Sequence, residues 1–248
     1  MKSKFLFLFV GVSASLMAGE LDPGPLQQKW FKHYEKQANL PDPAQMLLNT
    51  RSEPSLTEGF TDLFNGRDLS DWEAIGGTCT FDVQGDAIRG IADPASESTY
   101  LYTKKADFAD FIFTCELKWE EEGNTGVMFR ASRTNSKTGP TAYGPQMEME
   151  PFSQERDWSG GIYGQSCGGW FYPVWLAEHA QTRQAQKEHG WNRMTIEARG
   201  SEVRTWLNGV PVAYWKTDTF LSGAFGLQIH KGKTGTVLWR NLKVKPLD

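Results

Sequence analysis

Hydrophobic and polar residues alternate along the segment from residue 111 to residue 120. Every second position is apolar or aromatic, at Phe111, Phe113, Cys115, Leu117 and Trp119. Because successive side chains of a β-strand point to opposite faces, this period of two predicts a strand with one face in the core and one face largely in water. The same alternation predicts strands at 80–83, 87–91, 127–131 and 194–199.

Turn signals and further apolar runs extend this pattern to the end of the chain. Segments 203–207 and 210–214 flank Asn208 and Gly209, a pair that favours a type I′ hairpin turn because both central residues need a positive φ. Two more strands are predicted at 225–230 and 236–244. About a dozen short strands with no long helix after residue 60 predict an all-β fold, a jelly-roll β-sandwich.

The first residues have the pattern of a secretory signal peptide. Lys2 and Lys4 precede an apolar run at 5–12, and small residues end the segment near Ala18 or Gly19. The run is much shorter than the ~20 apolar residues of a membrane-spanning helix, which disfavours the alternative of an uncleaved anchor. We therefore expect residues 1–19 to be removed, no stable membrane insertion afterwards, and a periplasmic or extracellular protein.

Residues 20–58 differ in composition from the rest of the chain. A stretch with a helical pattern at 26–38 is followed by Pro41, Pro43 and a polar run. We interpret 20–58 as a pre-segment that packs on, or tethers, a single domain at 59–248. The expectation is that residues before about Gly59 lie outside the sandwich.

Composition narrows the classes of ligand. The formal net charge is -4 and the chain has no run of Lys or Arg, so nucleic acid is not expected as a partner. Aromatic residues make up 13% of the chain and include 10 Trp, which exceeds what packing requires and suggests a carbohydrate ligand. The odd number of cysteines, Cys79, Cys115 and Cys167, favours buried free thiols over a disulfide framework.

Three polar side chains share one face of a predicted strand. Gln146, Glu148 and Glu150 alternate with Met147 and Met149, so the carboxylates and the amide form one strip. Such a strip can supply a general acid or base, hold a cation or accept hydrogen bonds from sugar hydroxyls. Taken alone, such a strip is more typical of a solvated outer face.

Other strands place similar groups opposite their apolar residues. These groups have directional hydrogen bonding suited to hydroxyls, unlike the Lys, Glu and Thr of an ordinary wet face, and they are Arg130, Tyr163, Gln165, Gln228 and His230. A histidine at a strand end is also commonly structural. Together with the strip they predict a polar binding face on the sandwich.

An aromatic segment beside two glycines is a second candidate for sugar binding. Residues 168–175 contain Trp170, Phe171, Tyr172 and Trp175. Aromatic faces stack on the apolar faces of pyranose rings, and a glycine-flexed loop can lay them over a groove. The alternative is an aromatic cluster that seals the edge of the sandwich.

Motifs along the domain occur in the order and spacing of one known family. The most specific is FTDLFNGRDLSDW at 60–72, and the others are NTGVMFR at 124–130, GPQME at 144–148, GIYG at 161–164, GWN at 190–192, WLNG at 206–209, GLQIH at 226–230 and WRNLKV at 239–244. Over about 59–247 the chain resembles the 3-keto-disaccharide hydrolase domain family. That resemblance implies a concanavalin A-like lectin/glucanase fold.

The chain departs from the family pattern at two places. Members of the family usually have Glu and then Gln at the positions that are here Gln146 and Glu148, and usually Asp where this chain has Ile229. If the first carboxylate is the catalytic one, its role has either moved to Glu148 in this chain or been lost.

The resemblance implies a hydrolase or lyase that cleaves a 3-keto-glycoside or 3-keto-disaccharide supplied by a separate dehydrogenase. A ketone at C3 acidifies the C2 proton, so one base and one oxyanion partner suffice for elimination, after which water adds. We expect Glu148 or His230 as the base and Arg130 as the partner of the enolate. The expected substrate-binding residues are Gln146, Glu150, Tyr163, Gln165, Trp170, Trp175 and Gln228.

A cofactor is not required by this chemistry. A divalent cation on Glu148, Glu150 and His230 could polarise the ketone, but no metal-binding spacing occurs and no metal ligand is assigned. Two other functions remain open. One is a non-catalytic carbohydrate-binding β-sandwich. The other is an endo-glucanase, which is disfavoured because Glu148 and Glu150 are only two residues apart, about 6.6 to 6.8 Å along a strand.

Overall fold

The computed structural model describes residues 26–38, 41–42 and 46–247, so the predicted signal peptide lies outside the described residues. This part of the chain contains one α-helix, α1 (Gln28–Tyr34), and sixteen strands. In chain order the strands are β1 (Leu47–Leu48), β2 (Thr61–Asp62), β3 (Trp72–Gly76), β4 (Thr80–Gln84), β5 (Ala87–Ile91), β6 (Thr99–Thr103), β7 (Phe111–Glu121), β8 (Thr125–Ser136), β9 (Gly139–Met149), β10 (Ile162–Gln165), β11 (Gly169–Tyr172), β12 (Asn192–Arg199), β13 (Glu202–Leu207), β14 (Val210–Lys216), β15 (Ala224–Ile229) and β16 (Thr236–Pro246). Two 3-10 turns, Ala177–His179 and Thr182–Gln184, lie between β11 and β12.

The strands form two antiparallel sheets. The first has nine strands in the order β1-β14-β13-β12-β7-β16-β5-β4, with β2 also paired to β16. The second has seven strands in the order β11-β10-β9-β8-β15-β6-β3. This arrangement confirms the predicted all-β, concanavalin A-like jelly-roll sandwich. Among the described residues, no helix has the length and hydrophobicity needed to cross a membrane.

The hydrophobic core lies between the two sheets. Phe113 on β7 of the first sheet stacks on Phe225 on β15 of the second, with ring centroids 4.6 Å apart. On β9 the fully buried Met147 and Met149 join the same core. Each such side chain contributes roughly 1.5–3 kcal/mol by leaving water. Core packing therefore fixes which face of β9 is turned away from the core.

Two local predictions are confirmed, the second in part. Asn208 and Gly209 both have a positive φ, 53° and 85°, in the turn between β13 and β14. Cys79 and Cys115 are buried free thiols, whereas Cys167 is only half-buried, so the prediction of burial is wrong for that residue.

The pre-segment is more closely joined to the sandwich than we expected. Leu47 and Leu48 form β1, which pairs with Tyr214 and Ala213 of β14 and adds an edge strand to the nine-stranded sheet. The expectation that all residues before Gly59 lie outside the sandwich is therefore wrong for this strand. The segment adds its two leucines to the edge of the sheet. This pairing joins residues that are far apart in the chain, so the local sequence does not specify it.

One row of residues crosses four strands of the seven-stranded sheet and positions the site. Glu148 on β9 is opposite Gly126 on β8, and Gly126 is opposite Gln228 on β15. Gln228 is in turn opposite Tyr100 on β6. Residues in register on neighbouring strands point to the same face, so Glu148, Gln228 and Tyr100 all lie on the face turned away from Met147.

Candidate functional site

A cleft of about 630 Å³ opens on the polar face of the seven-stranded sheet. Its walls include five of the residues predicted from sequence, namely Glu148, Tyr163, Gln165, Trp170 and His230. Glu148 and His230 line the same cleft, as expected of the polar face, whereas Gln146 and Arg130 do not. The cleft is also lined by residues that the sequence did not single out, among them Tyr34, Ser98, Tyr100, Asn124, Arg156 and Lys231.

Glu148 is a buried carboxylate at this cleft, with only 4% of its surface exposed. Asn124 Nδ2 donates to Oε1 and Gln146 Nε2 donates to Oε2, each at 2.9 Å. Burial raises the pKa of Glu148 to about 7, and the two amide hydrogen bonds oppose that rise. Because a carboxylate oxygen can accept two hydrogen bonds, one acceptor position on each oxygen remains for a proton or a ligand.

A chain of amides and one hydroxyl leads from Glu148 to the far wall of the cleft. The Gln146 amide nitrogen also donates to Gln228 Oε1 at 2.9 Å, and the Gln228 amide nitrogen donates to the Tyr100 hydroxyl at 3.3 Å. The Tyr100 hydroxyl donates to Gln165 Oε1 at 3.1 Å. Each member fixes the orientation of the next, so the chain holds the carboxylate of Glu148 in one rotamer.

Gly126 is the position that allows this chain to form. A Cβ on residue 126 would lie 2.5 Å from Gln146 Nε2 and 2.6 Å from the Met147 carbonyl oxygen. The side chain of Gln146 therefore crosses β8 through the space that a side chain would fill, and reaches Gln228 on the strand beyond.

Gln146 and Gln228 do not contact a ligand directly. Both are fully buried, and neither lines the cleft. The expectation that they read sugar hydroxyls is therefore wrong, because a hydroxyl in the cleft cannot reach their amides. The same burial excludes a solvated outer face for Gln146, Glu148 and Glu150, which are all nearly inaccessible to water.

His230 lies at the end of β15, beside Asn124. Its backbone N–H donates to the Asn124 carbonyl at 3.2 Å, and its ring Nδ1 lies 2.9 Å from the Lys231 carbonyl oxygen. A carbonyl can only accept, so Nδ1 carries the proton of the neutral ring and Nε2 has the free lone pair. Burial lowers the pKa of His230, which keeps the ring neutral and its Nε2 basic at neutral pH.

Glu150 does not share the cleft with Glu148. Its carboxylate forms an ion pair with Arg156 and accepts the backbone N–H of Trp158 at 3.0 Å. Burial raises the pKa of Glu150, but a guanidinium in direct contact together with a backbone donor favours the ionised form, and we assign the pair as charged. The expected role of Glu150 in substrate binding is wrong, since Glu150 is 1% exposed and does not line the cleft.

The proposed trio of cation ligands does not fit a metal ion. Among the described residues, no group of three or more His, Cys, Asp or Glu side chains is placed to hold one. Glu150, which was to complete the trio with Glu148 and His230, is committed to Arg156.

Arg156 is a largely buried cation at this cleft, with 13% of its side chain exposed. Besides pairing with Glu150 it lies over the rings of Tyr34, Trp158 and Trp170, 5.0 to 5.1 Å from their centroids. Burial lowers the pKa of Arg156 to about 10, so it stays protonated at neutral pH. Burial also raises the pKa of Tyr163, which keeps this cleft hydroxyl protonated and able to donate.

Arg130 lies elsewhere. A β-bulge between Met128 and Ser132 gives Arg130 a φ of 45° and interrupts the alternation of β8. Its guanidinium donates to the carbonyls of Ala109, Gly200 and Phe220 and to Asp110, and none of these residues lines the cleft. The expectation that Arg130 stabilises an enolate is wrong, because the bulge turns it into a structural clamp.

The aromatic segment is a strand rather than a flexible loop. Trp175 is fully buried and packs against Phe31, so it offers no surface to a sugar. Trp170 reaches the cleft, but its ring is 1% exposed and is covered by Trp158 and Tyr163 at 5.1 and 5.4 Å. The alternative of a cluster that seals the sandwich accounts for these two tryptophans better than a stacking platform does.

Comparison with solved structures defines the class of fold. A protein from Parabacteroides distasonis ATCC 8503 described as a "putative glycosyl hydrolase" matches with a TM-score of 0.54 and 19% identity, covering 80% of this chain and 100% of that one. A Bacillus subtilis protein of unknown function with a galectin-like fold matches with a TM-score of 0.52 and 13% identity, covering 72% and 90%. At these identities the likeness concerns the fold. No curated protein matches the chain.

The family is shown by the sequence itself. Residues 59–245 match the model of the 3-keto-alpha-glucoside-1,2-lyase-like domain, which is three quarters of the chain. The chain belongs to this family, as the motifs predicted. It is therefore a β-sandwich of the 3-keto-alpha-glucoside-1,2-lyase-like domain family.

Proposed function

We propose that this protein is a carbohydrate-active enzyme that breaks the glycosidic bond of a 3-keto-glycoside or 3-keto-disaccharide. The observation that carries the proposal is Glu148, a buried carboxylate whose pKa of about 7 suits proton transfer and which lies at a cleft large enough for a sugar. Membership of the 3-keto-alpha-glucoside-1,2-lyase-like family supports the same substrate class.

The reaction that this site supports begins with proton abstraction. Ionised Glu148 takes the proton from C2, and the C–H electron pair forms a double bond to C3 as the ketone oxygen becomes an enolate. The enolate then re-forms the ketone, a C1–C2 double bond forms, and the C1–O bond breaks. The leaving oxygen takes the proton from Glu148, whose pKa near 7 suits both the base and the acid role. Addition of water across C1 and C2 completes hydrolysis.

Other groups at the cleft can stabilise the charges that develop during these reaction steps. We assign Arg156 and Tyr163 to the enolate oxygen, because one is a largely buried cation and the other a protonated hydroxyl. His230, neutral and with a free Nε2, is assigned to the water that adds at C1. Gln165 is assigned to a sugar hydroxyl, while the buried Gln146 and Gln228 orient Glu148.

The test is the fate of the C2 proton. The purified protein is incubated in D₂O with a 3-keto-disaccharide and with its unoxidised form, and the monosaccharides are analysed by NMR. Elimination and water addition predict release from the 3-keto form alone, with one deuterium at C2 introduced faster than in a sample without protein. Release without deuterium would contradict elimination, and binding without release would indicate a non-catalytic carbohydrate-binding domain.

The proposed function includes export of the protein from the cytoplasm. We propose that residues 1–19 are a signal peptide, that 20–58 is a pre-segment to the domain at 59–248, and that the protein acts in the periplasm or outside the cell. Mass spectrometry of the protein recovered from these compartments should give a mature chain beginning close to Gly19 or Glu20. A recovered chain that retains Met1 to Ala18 would contradict cleavage.

A further inference from the structure

The helical part of the pre-segment forms one wall of the cleft. Tyr34, the last residue of α1, lines the cleft together with Glu148, Tyr163 and His230. Its hydroxyl forms no hydrogen bond with the residues that the structure describes, and its ring is half-buried. The family domain begins at residue 59, so this wall is added from outside it.

Both ends of the helical segment are clamped to the sandwich. At the start, the buried side chain of Gln27 accepts from Trp158 Nε1 at 2.8 Å and donates to the Arg156 carbonyl at 3.2 Å. At the end, Gln37 Nε2 donates to the Trp170 carbonyl at 3.0 Å. These bonds span more than a hundred residues of sequence and fix the segment at one position on the cleft.

A glycine on β11 leaves space for the side chain of Gln37 from this segment. Gly169 has a φ of 133°, and a Cβ on it would lie 2.0 Å from the side chain of Gln37. A side chain at residue 169 would therefore collide with Gln37 and would also be strained by the positive φ. Apolar contacts add to the fit, since Phe31 packs on Trp175 with ring centroids 4.8 Å apart.

Tyr34 packs against Arg156, the residue that we assign to the enolate oxygen. The guanidinium of Arg156 lies 5.0 Å from the Tyr34 ring centroid, and the same ring packs on Trp158 at 5.0 Å. The aromatic ring of Tyr34 therefore lies next to the Arg156 guanidinium in the lining of the cleft. An aromatic ring with a free hydroxyl is suited to packing against, and hydrogen bonding to, a pyranose.

We propose that residues 26–38 complete the substrate cleft and that Tyr34 contacts the bound sugar. This inference rests on the proposed function and deepens it, since it assigns a substrate-contacting residue outside the family domain. Loss of one aromatic contact and one hydrogen bond predicts a rise of about tenfold in KM for the 3-keto-disaccharide in Tyr34→Ala, and a smaller rise in Tyr34→Phe. The kcat should change less than KM, because Tyr34 does not hold Glu148.

The experiment uses the full mature chain and two comparison variants. Lys36→Ala removes an exposed side chain from the turn after α1 and should match the wild type. Phe31→Ala loosens the packing on Trp175 and should raise KM together with faster proteolytic cleavage of the segment. Tyr34→Phe should leave that cleavage rate unchanged, so a raised KM in this variant reports contact with the sugar rather than loss of docking.

The outcomes separate the inference from the proposed function. An active wild type with Tyr34→Ala and Tyr34→Phe kinetics equal to those of Lys36→Ala would overturn the inference and leave the enzyme assignment intact. A wild type that neither binds nor cleaves any 3-keto or ordinary disaccharide would overturn both. A KM effect in both Tyr34 variants, with normal cleavage of the segment by protease, would support the inference.

Discussion

Gln146 Nε2 donates to Glu148 Oε2 at 2.9 Å. The two side chains lie on the same face of β9, because they are two positions apart on the strand. The same nitrogen also donates to Gln228 Oε1, and Gln146 Oε1 is buried without a hydrogen-bond partner among the described residues. The amide is therefore oriented by its donors alone, both directed at acceptors. This arrangement fits an ionised Glu148. We therefore expect turnover to depend on the protonation state of Glu148.

The first prediction concerns the dependence of turnover on pH. Burial raises the pKa of Glu148 to about 7, and a general base must be ionised. We expect kcat/KM for a 3-keto-disaccharide to rise with pH and to level off above about 7. Burial lowers the pKa of His230 from its ordinary value, so any step from this ring lies at lower pH than the step from Glu148. A profile that is flat from pH 5 to pH 8 would rule out Glu148 as the base.

Folding stability should depend on pH in the opposite direction. The folded pKa of Glu148 lies above its unfolded value of 4.5, so the folded state binds more protons and stability is lost as pH rises from about 4.5 through about 7. Relative to Glu148→Gln, the wild type should lose up to about 3 kcal/mol of unfolding free energy between pH 5 and pH 8. Urea titrations of both proteins measure this difference, and a constant gap would contradict the raised pKa.

Gly126→Ala should disconnect the hydrogen-bond chain without touching a cleft residue. The new Cβ would lie 2.5 Å from Gln146 Nε2, so Gln146 must move and lose its bonds to Glu148 and Gln228. Overpacking of this kind costs roughly 1–3 kcal/mol. We expect a lower kcat and an altered pH profile in the fraction that remains folded. An unchanged profile would show that the chain does not orient Glu148.

Arg130→Ala tests whether this residue is structural. Removing a buried guanidinium that binds three carbonyls and Asp110 should destabilise the fold by roughly 3–5 kcal/mol. At a temperature where the variant is folded, kcat should equal that of the wild type, because Arg130 does not line the cleft. A stable variant without turnover would return Arg130 to the active site.

Strand alternation predicted much of the site and failed at identifiable points. It placed Glu148 opposite Met147, and the register across β9, β8 and β15 then brought Gln228 beside it. It failed at Arg130, because a bulge with a positive φ at a non-glycine residue leaves no periodic signal. The alternation also could not show that Gln146 is fully buried rather than exposed to a ligand. A period of two tells which face of a strand a side chain is on, but not how deeply it is buried on that face.

The missed residues depend on tertiary contacts. Arg156 follows Glu150 by six positions through a turn, so nothing in the strand pattern pairs them. Tyr34 belongs to a helix whose place on the sandwich is set by Gln27 and Gln37, through partners more than a hundred residues away. Asn124 was within a recognised motif, and its position just before β8 was the available signal that it faces the cleft.

The most direct test of the account is the turnover of Glu148→Gln beside a matched variant, Glu97→Gln. Glu97 is a carboxylate on the rim of the same cleft that pairs with Lys231, so its amide variant makes the same chemical change away from the reacting carbon. We expect kcat to fall by roughly 10² to 10⁴ in Glu148→Gln, because the amide cannot accept the C2 proton. We also expect little change in the affinity for the intact 3-keto-disaccharide, and near wild-type turnover for Glu97→Gln. A fully active Glu148→Gln variant would contradict the central role of Glu148, and a wild type that binds the sugar but releases no monosaccharide would contradict the enzyme itself.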